Sequence, residues 1–286
     1  MAAILNEVQR SDKSQYGSAQ RMYAGRAGDY DDSWHPDYSR RFVDFIDIKP
    51  GEKVLSLACG TGLDAILAVS RVGDQGFVVG VDATKEMLDK AREKQDANPV
   101  LQKHLKLLQH DVCDLDGCLE PEKGTFDLII CSNAFVLFER PDAVVAHWKD
   151  YLKPGGRMAI DITHEYNLHT GILLERVAHR LGVHCPFFRS WITDKDSFKR
   201  ILEQQGMVVD QVEVLEKEGK GTAYLDRSEV DERFDFILNS PMLATMATQE
   251  FKVRGRPIFR EEWEAASVDG KLEMTDQLYV YIARKP

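Results

Sequence analysis

The chain contains 286 residues, of which 43% are hydrophobic and 29% are charged, a composition that is ordinary for a globular protein with a large core. Its formal net charge of -10 disfavours sequence-independent binding to DNA or RNA, because such binding requires clusters of Lys and Arg that neutralise phosphates. The composition therefore predicts a small-molecule substrate and no nucleic-acid partner.

The region 1–50 is predicted to form an N-terminal lid or arm followed by a helix. Residues 1–28 show little apolar periodicity, which is typical of a mobile arm, whereas aromatic side chains in and after this stretch favour a lid over a ligand. These aromatic residues are Tyr16, Tyr23, Tyr30 and Trp34. Phe42, Phe45 and Ile46 then recur at helical spacing, which predicts a helix ahead of the first strand.

A strand, a glycine turn, a helix and a second strand are predicted to follow. The apolar run at 53–57 leads into Gly60-Thr61-Gly62, and a second apolar run about 20 residues later ends at Asp82. This order is typical of the first βαβ unit of a nucleotide-binding α/β sheet. The glycines allow the backbone to approach a ligand closely, and Asp82 can accept hydrogen bonds from both ribose hydroxyls of an adenosine. A ligand built on adenosine is therefore expected.

The glycine pair alone leaves two classes of nucleotide-binding protein open. Gly60, Gly62 and Ala65 also fit the G-x-G-x-x-G/A pattern of dinucleotide-binding dehydrogenases, so the downstream sequence must separate the two classes. Further strands are predicted at 105–112, 125–133 and 157–163, with a helix at 142–152 and the turn Lys153-Pro154-Gly155-Gly156 before the last of them. Strands that alternate with helices imply a parallel sheet with right-handed crossovers.

The rest of the chain is predicted to add helices, two strands and an insertion. Helical periodicity covers 164–181, a helix is predicted from 191–194 to 205–206, and strands are predicted at 208–215 and 278–282. The insertion between these strands carries too many apolar side chains for a solvated loop: Phe234, Phe236, Ile237, Leu238, Met242, Leu243, Met246, Phe251, Phe259 and Trp263. A helical cap is therefore expected, which would wall a substrate pocket, extend the core or form a dimer interface.

The ordered series of Gly-x-Gly, Asp-Val, Phe-Asp and Lys-Pro-Gly-Gly motifs resembles the class I S-adenosyl-L-methionine (SAM)-dependent methyltransferases. It is similar to the methyltransferases of ubiquinone and menaquinone biosynthesis, over roughly residues 30–163. The resemblance implies SAM as cofactor and an α/β fold with a doubly wound, Rossmann-like, seven-stranded, mostly parallel sheet, an antiparallel last strand and a helical cap insertion. It also implies a single methyltransferase domain at 1–286, with an N-terminal lid and helix (1–50), a SAM-binding core (51–163), substrate-side helices and cap (164–215 and 216–277) and a last strand (278–286).

The same resemblance implies roles for individual residues. Gly60 and Gly62 would contact the aminoacyl end of SAM through backbone groups, Asp82 would hold the ribose, and Asp111 would accept a hydrogen bond from the adenine amine. Apolar side chains would sandwich the adenine, and the end of the fourth strand would lie beside the methionine portion, with Ser132 among its residues. The expected cofactor-binding residues are Ala58, Gly60, Gly62, Asp82, Ala83, Met87, Asp111, Val112, Cys131 and Asn133. Alternatively, the two acids are strand-end caps and Met87 is a core residue.

One departure from the family pattern concerns the first strand. The family commonly carries an acid where this chain has Ser56, and a glycine where it has Ala58. Loss of the acid removes a negative charge near the cationic cofactor, so SAM would bind more weakly or another residue would compensate. The loss also leaves open a SAM-fold regulator, or an enzyme that binds SAM and catalyses a reaction other than methyl transfer.

His164 is the leading candidate for a general base. It follows the fifth predicted strand, strand carboxyl ends face the ligand crevice of such sheets, and His titrates near neutral pH. Alternatively, it is part of a pocket wall. Glu165 and Tyr166 could orient it or the substrate, and His35 could touch the SAM carboxylate. The expected substrate residues are Tyr30, Trp34 and Tyr166, and no cluster of acids indicates a metal site.

Together these features predict methyl transfer to a small, largely apolar organic molecule through an O, N, S or carbon acceptor, in secondary or quinone-like metabolism. A protein methyltransferase remains the alternative within the same class. A monomer or homodimer is expected. The cysteines are odd in number and scattered, and no apolar run of about 18 residues occurs. No disulfide framework, signal peptide or membrane span is therefore expected, and the predicted location is cytoplasmic.

Overall fold

The computed structural model describes residues 15–240, 243 and 246–286. Expectations that fall on 1–14, Met242 and the other positions in these gaps lie outside the described residues. The described chain forms two compact units. Unit 1 comprises the residues up to Ile162 together with Phe198–Leu215 and Val280–Pro286, and unit 2 comprises Thr163–Ser197 and Glu216–Tyr279. The predicted single domain at 1–286 remains a prediction.

Seven strands form one sheet in the order β3-β2-β1-β4-β5-β9-β6, and two form a separate ribbon. In chain order the strands are β1 (Lys53–Leu57), β2 (Phe77–Asp82), β3 (Leu105–Gln109), β4 (Phe126–Cys131), β5 (Leu152–Thr163), β6 (Val208–Glu216), β7 (Thr222–Asp226), β8 (Lys271–Thr275) and β9 (Gln277–Arg284). The pairs among β1 to β5 are parallel, and one strand of the sheet is antiparallel. The predicted Rossmann-like sheet is confirmed.

The central strands are buried because helices cover both faces of a parallel sheet. Val54, Leu55 and Val78 are fully buried, as the continuous apolar runs predicted. The helices are α1 (Gln15–Ala24), α2 (His35–Phe45), α3 (Leu63–Val72), α4 (Lys85–Asp96), α5 (Pro99–His104), α6 (Asp116–Leu119), α7 (Pro141–Lys149), α8 (His169–Leu181), α9 (Ser197–Gln204), α10 (Val230–Leu238) and α11 (Gln249–Ala266).

The described part of the N-terminal region is helical rather than an irregular arm. It forms α1 and a short 3-10 turn at Tyr30–Asp32. Apolar periodicity is weak here, and tertiary contacts help to hold the segment: the Gln20 side chain donates to the Ala83 carbonyl oxygen at 3.0 Å. The helix predicted around Phe42 is confirmed as α2, where Tyr38 and Phe42 are fully buried.

The fifth strand begins earlier than predicted. The Lys-Pro-Gly-Gly segment that was expected to form a turn lies within β5. The Gly155 N–H donates to the Lys285 carbonyl oxygen, and the Lys285 N–H donates to that of Gly156, each at 2.8 Å. Hydrogen bonds with Lys285, the residue that follows β9, therefore hold this segment at the sheet, although its glycines favour a turn locally.

Unit 2 has a hydrophobic core of its own. The apolar residues of the predicted cap, including Phe234, Phe259 and Trp263, pack with Leu173 and Val177 of α8 in this core. Most apolar side chains of the insertion therefore form the core of unit 2. Their number does not indicate that a substrate pocket is apolar.

The insertion is not purely helical. Besides α10 and α11 it contains the antiparallel ribbon of β7 and β8, in which Leu225 pairs with Leu272. Leu225 is the single buried residue of β7. A strand with so little buried surface leaves almost no alternating apolar pattern, which is why the sequence did not predict it.

Candidate functional site

The glycine loop joins β1 to α3 and requires left-handed backbone angles. Gly60 has φ +55° and Gly62 has φ +83°, values that favour glycine. A Cβ atom on Gly62 would lie 3.1 Å from the Cβ of Ala91 in α4. Gly62 therefore permits close packing of the helices, and Gly60 lines the adjacent cavity.

An open cavity of about 630 Å³ lies in unit 1 at the carboxyl ends of the parallel strands. This is where such sheets bind ligands. Its lining includes most of the expected cofactor and substrate residues: Tyr30, Ala58, Gly60, Asp82, Ala83, Met87, Asp111, Val112 and Asn133. The loop, the strand ends and α4 thus converge on one cavity.

Asp82 ends β2 and joins two loops at the cavity. Its Oδ2 accepts a hydrogen bond from the Gly60 N–H at 2.8 Å, and its Oδ1 accepts one from the Thr84 N–H at 2.7 Å. Burial raises the pKa of Asp82, and these backbone donors partly lower it. Each carboxylate oxygen has a further lone pair, so the fixed carboxylate can still accept hydrogen bonds from ligand hydroxyls.

Asp111 lies just beyond β3 and also faces the cavity. Its Oδ1 accepts a hydrogen bond from the Cys113 N–H at 2.9 Å, which fixes the carboxylate in a local turn. Buried Met87 and Val112 provide apolar surface in the same cavity. These positions suit a flat ring with an amine at its edge, so the predicted adenine contacts remain the interpretation for this end of the cavity.

Several lining residues were not assigned from the sequence. Tyr16, Ala19 and Tyr23 of α1 line the cavity, which places α1 where the lid alternative put it. Leu137 and Phe138, in and after a 3-10 turn that follows β4, also line it. The aromatic residues of the N-terminal region indicated that this region lies over a ligand. No local sequence pattern predicted the 3-10 turn after β4.

A smaller chamber of about 290 Å³ shares Tyr30, Ala58, Gly60, Ser132 and Asn133 with the main cavity. Asp64, in the first turn of α3, lines this chamber and is only 8% exposed. Its Oδ2 accepts a hydrogen bond from the Ser132 hydroxyl. Burial raises the pKa of Asp64, and the hydroxyls of Ser132 and Ser39 partly lower it.

Asp161 of β5 positions the end of β4. Its Oδ1 accepts a hydrogen bond from the Asn133 N–H and its Oδ2 accepts one from the Tyr38 hydroxyl, each at 2.7 Å. Burial raises the pKa of Asp161 to about 7, although both hydrogen bonds lower it. This pair of contacts holds Asn133, which has φ +56°, at the boundary of the two cavities.

Five expected site residues do not belong to the lining of either cavity: Gly62, Cys131, Trp34, His164 and Tyr166. Gly62 faces α4, and Cys131 is buried within β4. Trp34 stacks on His35, with 3.8 Å between ring centroids, and His35 stacks on Tyr30 at the same spacing. His35 itself lines the smaller chamber. Trp34 therefore supports the chamber from behind instead of lining it.

His164 and Tyr166 belong to unit 2. The His164 Nδ1 accepts a hydrogen bond from the Tyr166 N–H at 3.1 Å, and the ring stacks on Tyr279 with 4.8 Å between centroids. Glu165 accepts a hydrogen bond from the Tyr279 hydroxyl at 2.7 Å. Burial lowers the pKa of His164. In a neutral ring that accepts at Nδ1, the hydrogen lies on Nε2, so general-base action would require the Tyr166 contact to break.

Two negative findings concern the residues that the structure describes. Among them, no three His, Cys, Asp or Glu side chains are grouped in a way that could hold a metal ion. None of the helices in the same ranges is both long enough and apolar enough to span a bilayer.

The fold is the Rossmann-like α/β fold found in methyltransferases. The residues present fit the cofactor of this class, because a glycine loop, a fixed strand-end carboxylate and apolar ring surfaces line one cavity. Residues 54–156 match the family model of the methyltransferase domain. The resemblance to quinone-pathway methyltransferases is confirmed over this part of the chain, and the family match supports SAM as the cofactor.

Individual relatives support the same class. Over 116 residues the chain is 34% identical to the arsenite methyltransferase of Halobacterium salinarum. This alignment covers 41% of this chain and 28% of the relative. Over 126 residues it is 32% identical to the demethylmenaquinone methyltransferase of Bacillus cereus. This alignment covers 43% of this chain and 50% of the relative. The chain thus spans only about a quarter to a half of these relatives.

A solved structure gives the fold comparison. A Bacillus halodurans protein described as a methyltransferase superposes with a TM-score of 0.54 at 18% identity, covering 85% of this chain and 97% of that one. At this identity the match concerns the fold alone.

Proposed function

We propose that the chain transfers a methyl group from SAM to a small organic molecule. The observation that carries this proposal is the Asp82 carboxylate, held by the N–H groups of Gly60 and Thr84 beside the cavity. A carboxylate so oriented suits the two hydroxyls of a ribose. SAM bound there would supply an activated methyl group on a sulfonium centre.

The residues of unit 1 would then bind and orient the reactants. Asp82 would fix the ribose, and Met87 with Val112 would hold the adenine between apolar surfaces. Asn133, positioned by Asp161, would lie beside the reacting end. Alignment of this kind, with water excluded by α1, supplies much of the rate enhancement that a displacement reaction needs.

The acceptor is proposed to be organic because one relative is named for demethylmenaquinone. Tyr30, Trp34 and Tyr166 remain proposed substrate residues. The acceptor can be tested by incubating the purified chain with methyl-labelled SAM and a heat-treated metabolite extract, with arsenite in a parallel reaction. Label in an organic small molecule supports the proposal. Label on protein, on arsenic or on nothing would each contradict it.

His164 is the proposed general base, if the acceptor must lose a proton. His164→Ala should then lower turnover by about a hundredfold or more and leave SAM affinity unchanged. The base acts in its neutral form and burial lowers its pKa, so the wild-type rate should rise with pH through a pKa below the ordinary value of about 6.5. The variant should lose that step in a pH-rate profile.

His179→Ala, at an exposed position of the same unit, is the matched control and should keep both rate and profile. Near-normal turnover of His164→Ala with the wild-type profile would mean that His164 has no role as a base.

A further inference from the structure

The smaller chamber of unit 1 contains a buried acid that lacks a cationic partner. Oδ1 of Asp64 is buried and accepts no hydrogen bond from any residue that the structure describes. Oδ2 accepts from the Ser132 hydroxyl. The Ser39 hydroxyl also lies near enough to lower the Asp64 pKa, and no Lys or Arg contributes to the environment that sets this pKa. Burying a carboxylate without a counter-charge is costly, and folding alone does not explain why Asp64 is there.

The chamber adjoins the cavity that suits adenosine. The two share Tyr30, Gly60 and Ser132, and Asp64 lies on the chamber side of these residues. A ligand whose adenosine end occupies the main cavity would therefore extend its other end towards Asp64. In SAM that end carries an α-ammonium group, which is the charge an unpaired carboxylate binds best.

The position of Asp64 also bears on the acid that is missing from β1. Ser56 occupies that strand position and is buried within the sheet. The polypeptide passes through the glycine loop and presents a carboxylate one element later, in the first turn of α3. The negative charge near the methionine end is thus supplied from the helix instead of the strand.

We propose that Asp64 binds the α-ammonium group of SAM through its carboxylate and replaces the strand acid absent at Ser56. This inference rests on the proposed function, because it assumes that the main cavity holds the adenosine of SAM. Ser132 has a positioning role, since its hydroxyl orients the Asp64 carboxylate.

The test compares two ligands on two proteins by calorimetric titration. S-adenosylhomocysteine carries the ammonium group, whereas 5′-methylthioadenosine has the same nucleoside and lacks the amino-acid end. Asp64→Asn should weaken binding of S-adenosylhomocysteine by about tenfold or more, since a charge-assisted hydrogen bond is lost. Its affinity for 5′-methylthioadenosine should stay within about twofold of wild type.

Folding of the variant is checked separately by thermal unfolding. Asp64→Asn keeps the shape and removes an uncompensated buried charge, so the ligand-free variant should be at least as stable as wild type. A purely structural carboxylate would instead make the variant less stable. Asp74→Asn, at an exposed position outside both cavities, is the charge-matched control and should change neither affinity.

The outcomes separate this inference from the proposed function. Unchanged affinity of Asp64→Asn for S-adenosylhomocysteine, or equal loss for both ligands, would overturn the role of Asp64 and leave the cofactor site in place. Failure of the wild-type chain to bind either ligand would overturn the proposed function itself.

Discussion

Asp82→Ala is expected to weaken SAM binding by at least tenfold, which corresponds to about 1.4 kcal/mol. The substitution removes the proposed acceptor for both ribose hydroxyls. It also leaves the N–H groups of Gly60 and Thr84 without their present acceptor, so the glycine loop loses the contact that holds it against β2. Calorimetric titration of SAM into both proteins measures the effect.

Asp82→Asn provides the matched comparison. It keeps the size of the side chain and one carbonyl oxygen, and loses the charge and the second acceptor. Its affinity should fall between wild type and Asp82→Ala. If Asp82→Ala binds SAM as tightly as wild type, the cofactor does not lie at the end of β2.

Glu175→Ala is expected to destabilise the protein by about 1–3 kcal/mol for each buried N–H group that loses its acceptor. Glu175 is 1% exposed and Arg189 is 4% exposed. The Glu175 carboxylate accepts hydrogen bonds from the N–H groups of Arg189 and Ser190, and its charge opposes the lowering of the Arg189 pKa by burial. Alanine would leave these backbone donors without an acceptor and remove the negative charge that favours the charged form of the buried Arg189 guanidinium.

Urea denaturation gives the free energy of unfolding, and Arg180→Ala serves as the control. Arg180 forms ion pairs with Glu261 and Glu262 on the surface of the same unit, at 2.7 and 3.0 Å. Exposed pairs contribute about 0–1 kcal/mol, so the control should lose far less stability. Similar losses in the two variants would contradict the view that burial makes the Glu175 contacts important.

Much of unit 1 could be predicted from sequence because its signals are local. The apolar runs of β1 and β2, the glycines of the loop and the terminal carboxylate of Asp82 are each specified within a few residues. The cavity-lining positions Ala83, Met87, Asp111 and Val112 follow from their place after those strands, and all four face the cavity. Their contacts with SAM stay predictions.

The features that the sequence did not reveal depend on distant partners. Asp64 looks like an ordinary first-turn acid of α3 until Ser132, from the end of β4, is placed beside it. Tyr16 lines the cavity because α1 packs within unit 1. The glycines of β5 stay in the strand because Lys285 forms hydrogen bonds with them. The same holds for His164. Its Nδ1 accepts a hydrogen bond from the Tyr166 N–H, and no sequence pattern predicts this contact.

The central claim is that unit 1 binds SAM and not a dinucleotide. Calorimetric titration of the wild-type chain with SAM, and separately with NAD, tests this claim most directly. We expect saturable binding of SAM with one ligand per chain and no comparable binding of NAD. Tight binding of NAD in the absence of SAM binding would contradict the claim and assign the glycine loop to a dehydrogenase.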